Sequence, residues 1–120
     1  MSRDHRQLKV FAMADGLVVD VYRLTRGLPV EERYGIQSQI RRACLSVPTN
    51  IVEGCARRST REYLQFVTVA LGSASEVRYL LAVSERLGML SRTDTDGLVK
   101  RYDELVRGLL KLVDALQRDR

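Results

Sequence analysis

The strongest constraint on what this chain can become is the spacing of its apolar residues in the last quarter. Leu98, Tyr102, Leu105, Leu109, Leu112 and Leu116 follow an unbroken 4-3-4-3-4 rhythm. Residues repeated that way share one stripe of an α-helix, whereas a strand would alternate every second residue. The rhythm recurs three more times. Val10, Ala14, Leu17, Val21, Leu24 and Leu28 predict a first helix over about residues 6–26. Ile36, Ile40, Ala43, Val47, Ile51 and Gly54 mark a second, and Val67, Ala70, Ala74, Val77 and Leu81 a third. Four amphipathic helices with short connectors favour antiparallel neighbours, so the expected fold is all-α, an up-down-up-down antiparallel four-helix bundle.

Local signals set the boundaries. Gly27 and Pro29 end the first helix. The second stripe keeps its register through Pro48, which predicts one kinked helix, with a break at Val47 as the alternative. Residues 33–61 then read as one bent rod with an apolar and a charged side. Ser59-Thr60-Arg61-Glu62 has the form of a capping box and should open a long third helix that Gly88 stops. Within it, Ala70, Gly72, Ser73, Ala74 and Ser75 leave a section nearly without side chains, where a neighbouring backbone can approach. Apolar residues off the stripes, among them Val18, Val19, Leu64, Val69, Leu80, Val99, Val106, Leu110 and Val113, exceed one core's needs and point to self-association. At 120 residues a single domain, 1–120, is expected.

The net charge of +5 is localised. Residues 33–61 hold six arginines, Arg33, Arg41, Arg42, Arg57, Arg58 and Arg61, against the single acid Glu53, and the remainder of the chain balances. A focused basic segment points to an anionic partner more strongly than diffuse charge does. The N-terminus lacks a signal-peptide core, and no run approaches the roughly 18 apolar residues of a membrane span. A cytoplasmic protein without a membrane partner is expected. Cys44 and Cys55, about 16 Å apart on one helix, read as buried thiols rather than a disulfide.

Along the second helix Gln39, Arg42, Ser46, Asn50, Glu53 and Arg57 share a polar face beside the apolar stripe. Glu53 and Arg57 have the i, i+4 order that favours an ion pair. The face reads either as a solvated or inter-helix hydrogen-bonded surface, or as one presenting Arg to phosphates or to another subunit. The run Arg57-Arg58-Ser59-Thr60-Arg61 enters a helix N-terminus, where a phosphate is electrostatically welcome. No catalytic constellation emerges. His5 lies in a segment expected to fray and has no nucleophile beside it, and Asp94-Thr95-Asp96-Gly97 departs from a calcium loop at both of its defining ends, reading as a helix-start turn. No metal, cofactor or enzymatic activity is expected. Seven residues are aromatic, and placing most of them on core stripes argues against single-strand stacking platforms.

These residues carry a family resemblance. Tyr34-Gly35-Ile36-Gln37-Ser38-Gln39-Ile40-Arg41-Arg42-Ala43, then Ser46-Val47-Pro48-Thr49-Asn50-Ile51, Glu53-Gly54 and Arg57, resemble the four-helix-bundle proteins encoded in intervening sequences of large-subunit ribosomal RNA genes. Leu8-Lys9-Val10-Phe11, Glu62-Tyr63, Phe66, Ala70, Gly72, Ser73 and Glu76 agree with the same pattern. The chain departs from it at Phe11, where Trp is usual, and at Cys44 and Cys55, where the family has an aliphatic and an aromatic residue. The resemblance implies a left-handed bundle assembled into a ring, a pentamer, without known enzyme activity. The chain is also similar to accessory proteins of diversity-generating retroelements, basic bundle rings that bind nucleic acid and a reverse transcriptase.

Two functional expectations follow. In the first, Arg41, Arg42, Arg57, Arg58 and Arg61 repeat around a homo-oligomer and contact RNA or DNA phosphates without reading sequence. In the second the protein is a structural adaptor for a protein partner, and the polar stripe of Gln39, Ser46, Asn50 and Glu53, with Arg42, is buried between subunits.

Overall fold

The computed structural model describes residues 3–118. Four helices, α1 (Lys9–Thr25), α2 (Ile36–Cys55), α3 (Thr60–Arg86) and α4 (Arg92–Arg118), are joined by short connectors, with 3-10 turns at His5–Gln7 and Val30–Glu32. Each helix packs on its chain neighbour and α4 returns to α1. The result is the expected up-down bundle, 45 Å long and about half as wide.

The stripes form its core: Leu17, Val21, Ile40, Val47, Ile51, Val67, Val77, Leu81, Leu105 and Leu109 are fully buried. At two stripe ends the buried position falls one residue later than a strict rhythm places it. Thr25 is buried where Leu24 is partly exposed, and Val113 where Leu112 is. A 3.6-residue helix drifts about 20° per heptad against a 3.5-residue repeat, so a late core position slips forward, while Leu28 and Leu116 stay buried where the rhythm places them.

Residues 33–61 are not one rod. The helix does continue through Pro48, with no break at Val47, but it ends at Cys55, and Ala56, Arg57 and Arg58 form a turn before α3. Ser59 Oγ accepts from the Glu62 amide at 3.1 Å and donates to Glu62 Oε1 at 3.0 Å. The box therefore closes between side chains, and the cap takes the chain out of α2's path. Gly88, at φ +76°, ends α3 as expected. Asp94–Gly97 lies inside α4, whose N-terminus is set upstream by Ser91 Oγ accepting from the Asp94 amide.

The segment that holds His5, expected to fray, is tied from residue 3 onward, where the Arg3 amide donates to Cys55 O at 2.8 Å and straps it across the end of α2. Helix α3 also departs from expectation: an 18-residue window of it reaches a mean hydropathy of 1.4, long and apolar enough to cross a membrane. Its place between α2 and α4 accounts for part of this, since Val67, Ala70, Ala74, Val77 and Leu81 are fully buried there, but only 28% of that window is buried. Ala70, Ser73 and Ala74 face the core, but Gly72 points outward with nothing within 4 Å of where a Cβ would sit. Of the apolar surplus, Leu64 and Val113 are core, while Val19, Val69 and Leu110 are exposed, joined by Leu45, Val52 and Tyr79.

Candidate nucleic-acid interface

The five arginines singled out by sequence do not share one surface. Arg41 leans on α1: its Nε donates to Thr25 Oγ1 at 3.0 Å, its Nη2 to Tyr22 O at 3.2 Å, and its guanidinium stacks 4.4 Å above the Tyr22 ring. Gln37 Nε2 donates to Thr25 O at 3.0 Å. Two α2 side chains thus add hydrogen bonds to the last-turn carbonyls of α1, where a cation also meets the negative end of the helix dipole. Arg41→Ala is expected to cost about 2 kcal/mol by urea denaturation, and Arg58→Ala less than about 0.5 kcal/mol. Equal midpoints for the two variants would discard this role.

Arg42 turns the other way, to α3, pairing with Glu76 at 2.7 Å while also donating to Gln39 Oε1. Further along the same contact Ser46 Oγ and Ser73 Oγ are 2.8 Å apart, and Asn50 Nδ2 donates to Ser46 O and Oγ. This part of the polar stripe is an inter-helix hydrogen-bonded seam. Glu53 is exposed and forms no ion pair with Arg57. The i, i+4 relation fails because α2 has ended: Arg57 lies in the turn, its amide donating to Gly54 O, and its guanidinium sits 4.8 Å above the Phe66 ring.

Arg57, Arg58 and Arg61 lie at or next to the α2–α3 turn, about 20 Å along the bundle from Arg41 at ~1.5 Å per helical residue. All three are exposed, and none is in an ion pair among the described residues. The strap adds a fourth cation that sequence reasoning missed. Arg3 lies 4.1 Å above the Tyr63 ring, with Nη2 3.4 Å from Thr60 Oγ1. Nothing in the sequence signals it, because the contact joins residues 57 positions apart. Two of the nearby acids are engaged, Glu62 by the Ser59 hydroxyl and Asp4 by Arg6, whose hydrogen bonds lower that carboxyl's pKa, while Glu53 stays exposed and leaves the turn with a net positive charge. Four guanidinium groups beside the positive end of α3 make an anion-attracting surface.

The aromatic residues are also distributed differently from the expectation. Only Tyr63 and Tyr102 are fully buried, while Tyr34 and Tyr79 are 90% and 61% exposed. Both cysteines are free and buried. Among the described residues no three of His, Cys, Asp and Glu gather closely enough to hold a metal ion.

Comparison with known proteins bears on most of the chain. The family model described as 23S rRNA-intervening sequence protein matches residues 6–111. The fold is similar to the crystal structure of a protein with unknown function from the S23 ribosomal protein family of Bacteroides thetaiotaomicron. The TM-score is 0.79 at 23% identity, covering 87% of this chain and 97% of that one. At that identity the likeness is one of fold. No curated protein matches the chain.

Proposed function

The chain belongs to the 23S rRNA-intervening sequence protein family, and from that premise we propose that it is a non-enzymatic, ring-forming bundle protein that associates with RNA or other nucleic acid through phosphate contacts. The observation that carries the reading is the α2–α3 turn, where Arg57, Arg58 and Arg61, with Arg3, are free of carboxylate partners among the described residues. Such a surface attracts a phosphate backbone without selecting sequence. Exposed Val19, Leu45, Val52 and Val69 support a homo-oligomer, a pentamer in this reading, in which the turn is repeated and a weak site multiplied. Free thiols suit the cytoplasm, where RNA is also found.

Affinity for structured RNA is expected to fall steeply with salt. Replacing Arg57, Arg58 and Arg61 together by Ala should lower the slope of log affinity against log salt by about 2 to 3, close to one per lost phosphate contact. Fluorescence anisotropy across a salt series measures it. A slope identical to wild type removes the reading and leaves the adaptor for a protein partner.

A further inference from the structure

At the opposite end of α2 the chain builds a second basic feature. Between the last turn of α1, the connector with its 3-10 turn, and the first turns of α2 lies an open cavity of about 600 Å³. That is within the ~300–1,000 Å³ of small-ligand sites. Its walls carry Arg26, Arg33, Arg41, Tyr34, Gln37 and Ser38, with an apolar side from residues 28–30 and no carboxylate. Arg41 and Gln37 are held in place by the α1 carbonyls. Arg26 and Arg33 are in no ion pair among the described residues, although Glu31 and Glu32 adjoin them in sequence. Glu32 is turned aside, its Oε1 accepting from the Ile36 amide at 3.2 Å and so capping α2.

Arg41 is placed by its contacts with α1, but Arg26 and Arg33 bring two further cations to the same cavity without a carboxylate partner among the described residues, and an anion there relieves the repulsion among the three. The cavity is far larger than an inorganic phosphate. Tyr34 adds a ring that is 90% exposed, a flat face available for stacking a heterocycle.

We infer that this cavity binds a nucleotide unit, with its phosphate among Arg26, Arg33 and Arg41, its base stacked on Tyr34 and its sugar against the apolar side. The unit is either a free mononucleotide or an unpaired nucleotide of a strand. In the second case the inference deepens the reading of the α2–α3 turn and rests on it. Stacking is indifferent to base identity, so the site takes any of the bases.

The test titrates the full chain with AMP, with a labelled short single-stranded RNA and with an RNA duplex, for wild type, Tyr34→Ala, Arg33→Ala and the triple variant of Arg57, Arg58 and Arg61. Tyr34 and Arg33 are exposed, and unchanged circular dichroism certifies folding. Tyr34→Ala should weaken single-strand binding roughly tenfold with an unaltered salt slope. Arg33→Ala should lower that slope by about 1. Competition by AMP assigns the cavity to the free nucleotide; strand binding without AMP competition assigns it to an unpaired residue. Duplex binding that depends on the triple variant, with Tyr34→Ala and Arg33→Ala both at wild-type affinity for the single strand and no AMP titration, overturns this inference and leaves the proposed function standing. AMP binding sensitive to Tyr34, without any binding of RNA, supports the cavity and removes the other.

Discussion

Raising the pH from about 9 to about 12 is expected to destabilise the bundle by several kcal/mol, with most of the loss traced to two tyrosines and two thiols. Tyr102 Oη donates to Cys44 Sγ at 3.5 Å inside the core, and burial raises the pKa of both groups. Burial likewise raises Cys55, and pushes Tyr63 from 10.0 up to about 12. In the unfolded chain the thiols lose their protons near 9 and the tyrosines near 10, while the folded chain still holds them. Above those values the unfolded state binds fewer protons, so stability is intact below pH 9 and declines as pH rises, by about 1.4 kcal/mol per pH unit for each group ionised only when unfolded. Tyr63 alone then accounts for about 2 to 3 kcal/mol by pH 12. A domain of this size has roughly 5–15 kcal/mol in total, so the effect is large. Melting temperatures by circular dichroism between pH 8 and 11 should fall, and Tyr63→Phe should flatten the decline. Tyr63 Oη is buried beside the Cys55 thiol, a weak acceptor at best, and makes no hydrogen bond of ordinary geometry, so that variant should be about as stable as wild type at neutral pH. A melting temperature constant to pH 11 would contradict the burial of these groups.

Gly54→Val is expected to be the most damaging single substitution at the α2–α3 turn, at about 3 kcal/mol or more. A Cβ at Gly54 would lie 2.9 Å from Phe66 Cβ and 3.1 Å from the Tyr63 ring. The first obstruction is an atom fixed to the α3 backbone, so no side-chain rotation relieves it and the helices must separate. Their separation would also disturb Arg57, which rests on Phe66, and Arg3, which rests on Tyr63. Loss of affinity for RNA beyond that of the unfolded fraction is the accompanying expectation. Gly72→Ala provides the contrast, since its Cβ meets nothing within 4 Å. Exchanging an exposed helical glycine for alanine should stabilise by roughly 0.5–1 kcal/mol. Thermal melts of the two variants that move in the same direction would refute the distinction.

Gly54 and Gly72 also mark the limit of sequence reading. Gly54 ends the apolar stripe of its helix and Gly72 lies off the stripe of its own, so spacing separates buried from exposed, but it does not say which atoms Gly54 meets. That Phe66 Cβ and the Tyr63 ring stand against Gly54 follows from how closely α3 approaches α2, which no spacing on one helix gives. The polar stripe has the same history: Gln39, Arg42, Ser46 and Asn50 keep the predicted helical spacing, but which helix they bond depends on α3 lying beside them.

The periodicity of apolar residues, with Ser59 and Gly88 as punctuation, was enough to determine the number of helices, their order and most of the core. These are local consequences of 3.6-residue geometry and of caps satisfied within a few positions. The destination of each arginine was decided by tertiary structure alone. Arg41 became a brace on α1, Arg42 a clasp to α3, Arg57 a cover on Phe66, and Arg3, from a distant segment, a cover on Tyr63. A long cationic side chain takes its partner from whatever carbonyl, ring or carboxylate lies within reach, and those neighbours come from distant segments that no spacing rule on one helix can supply.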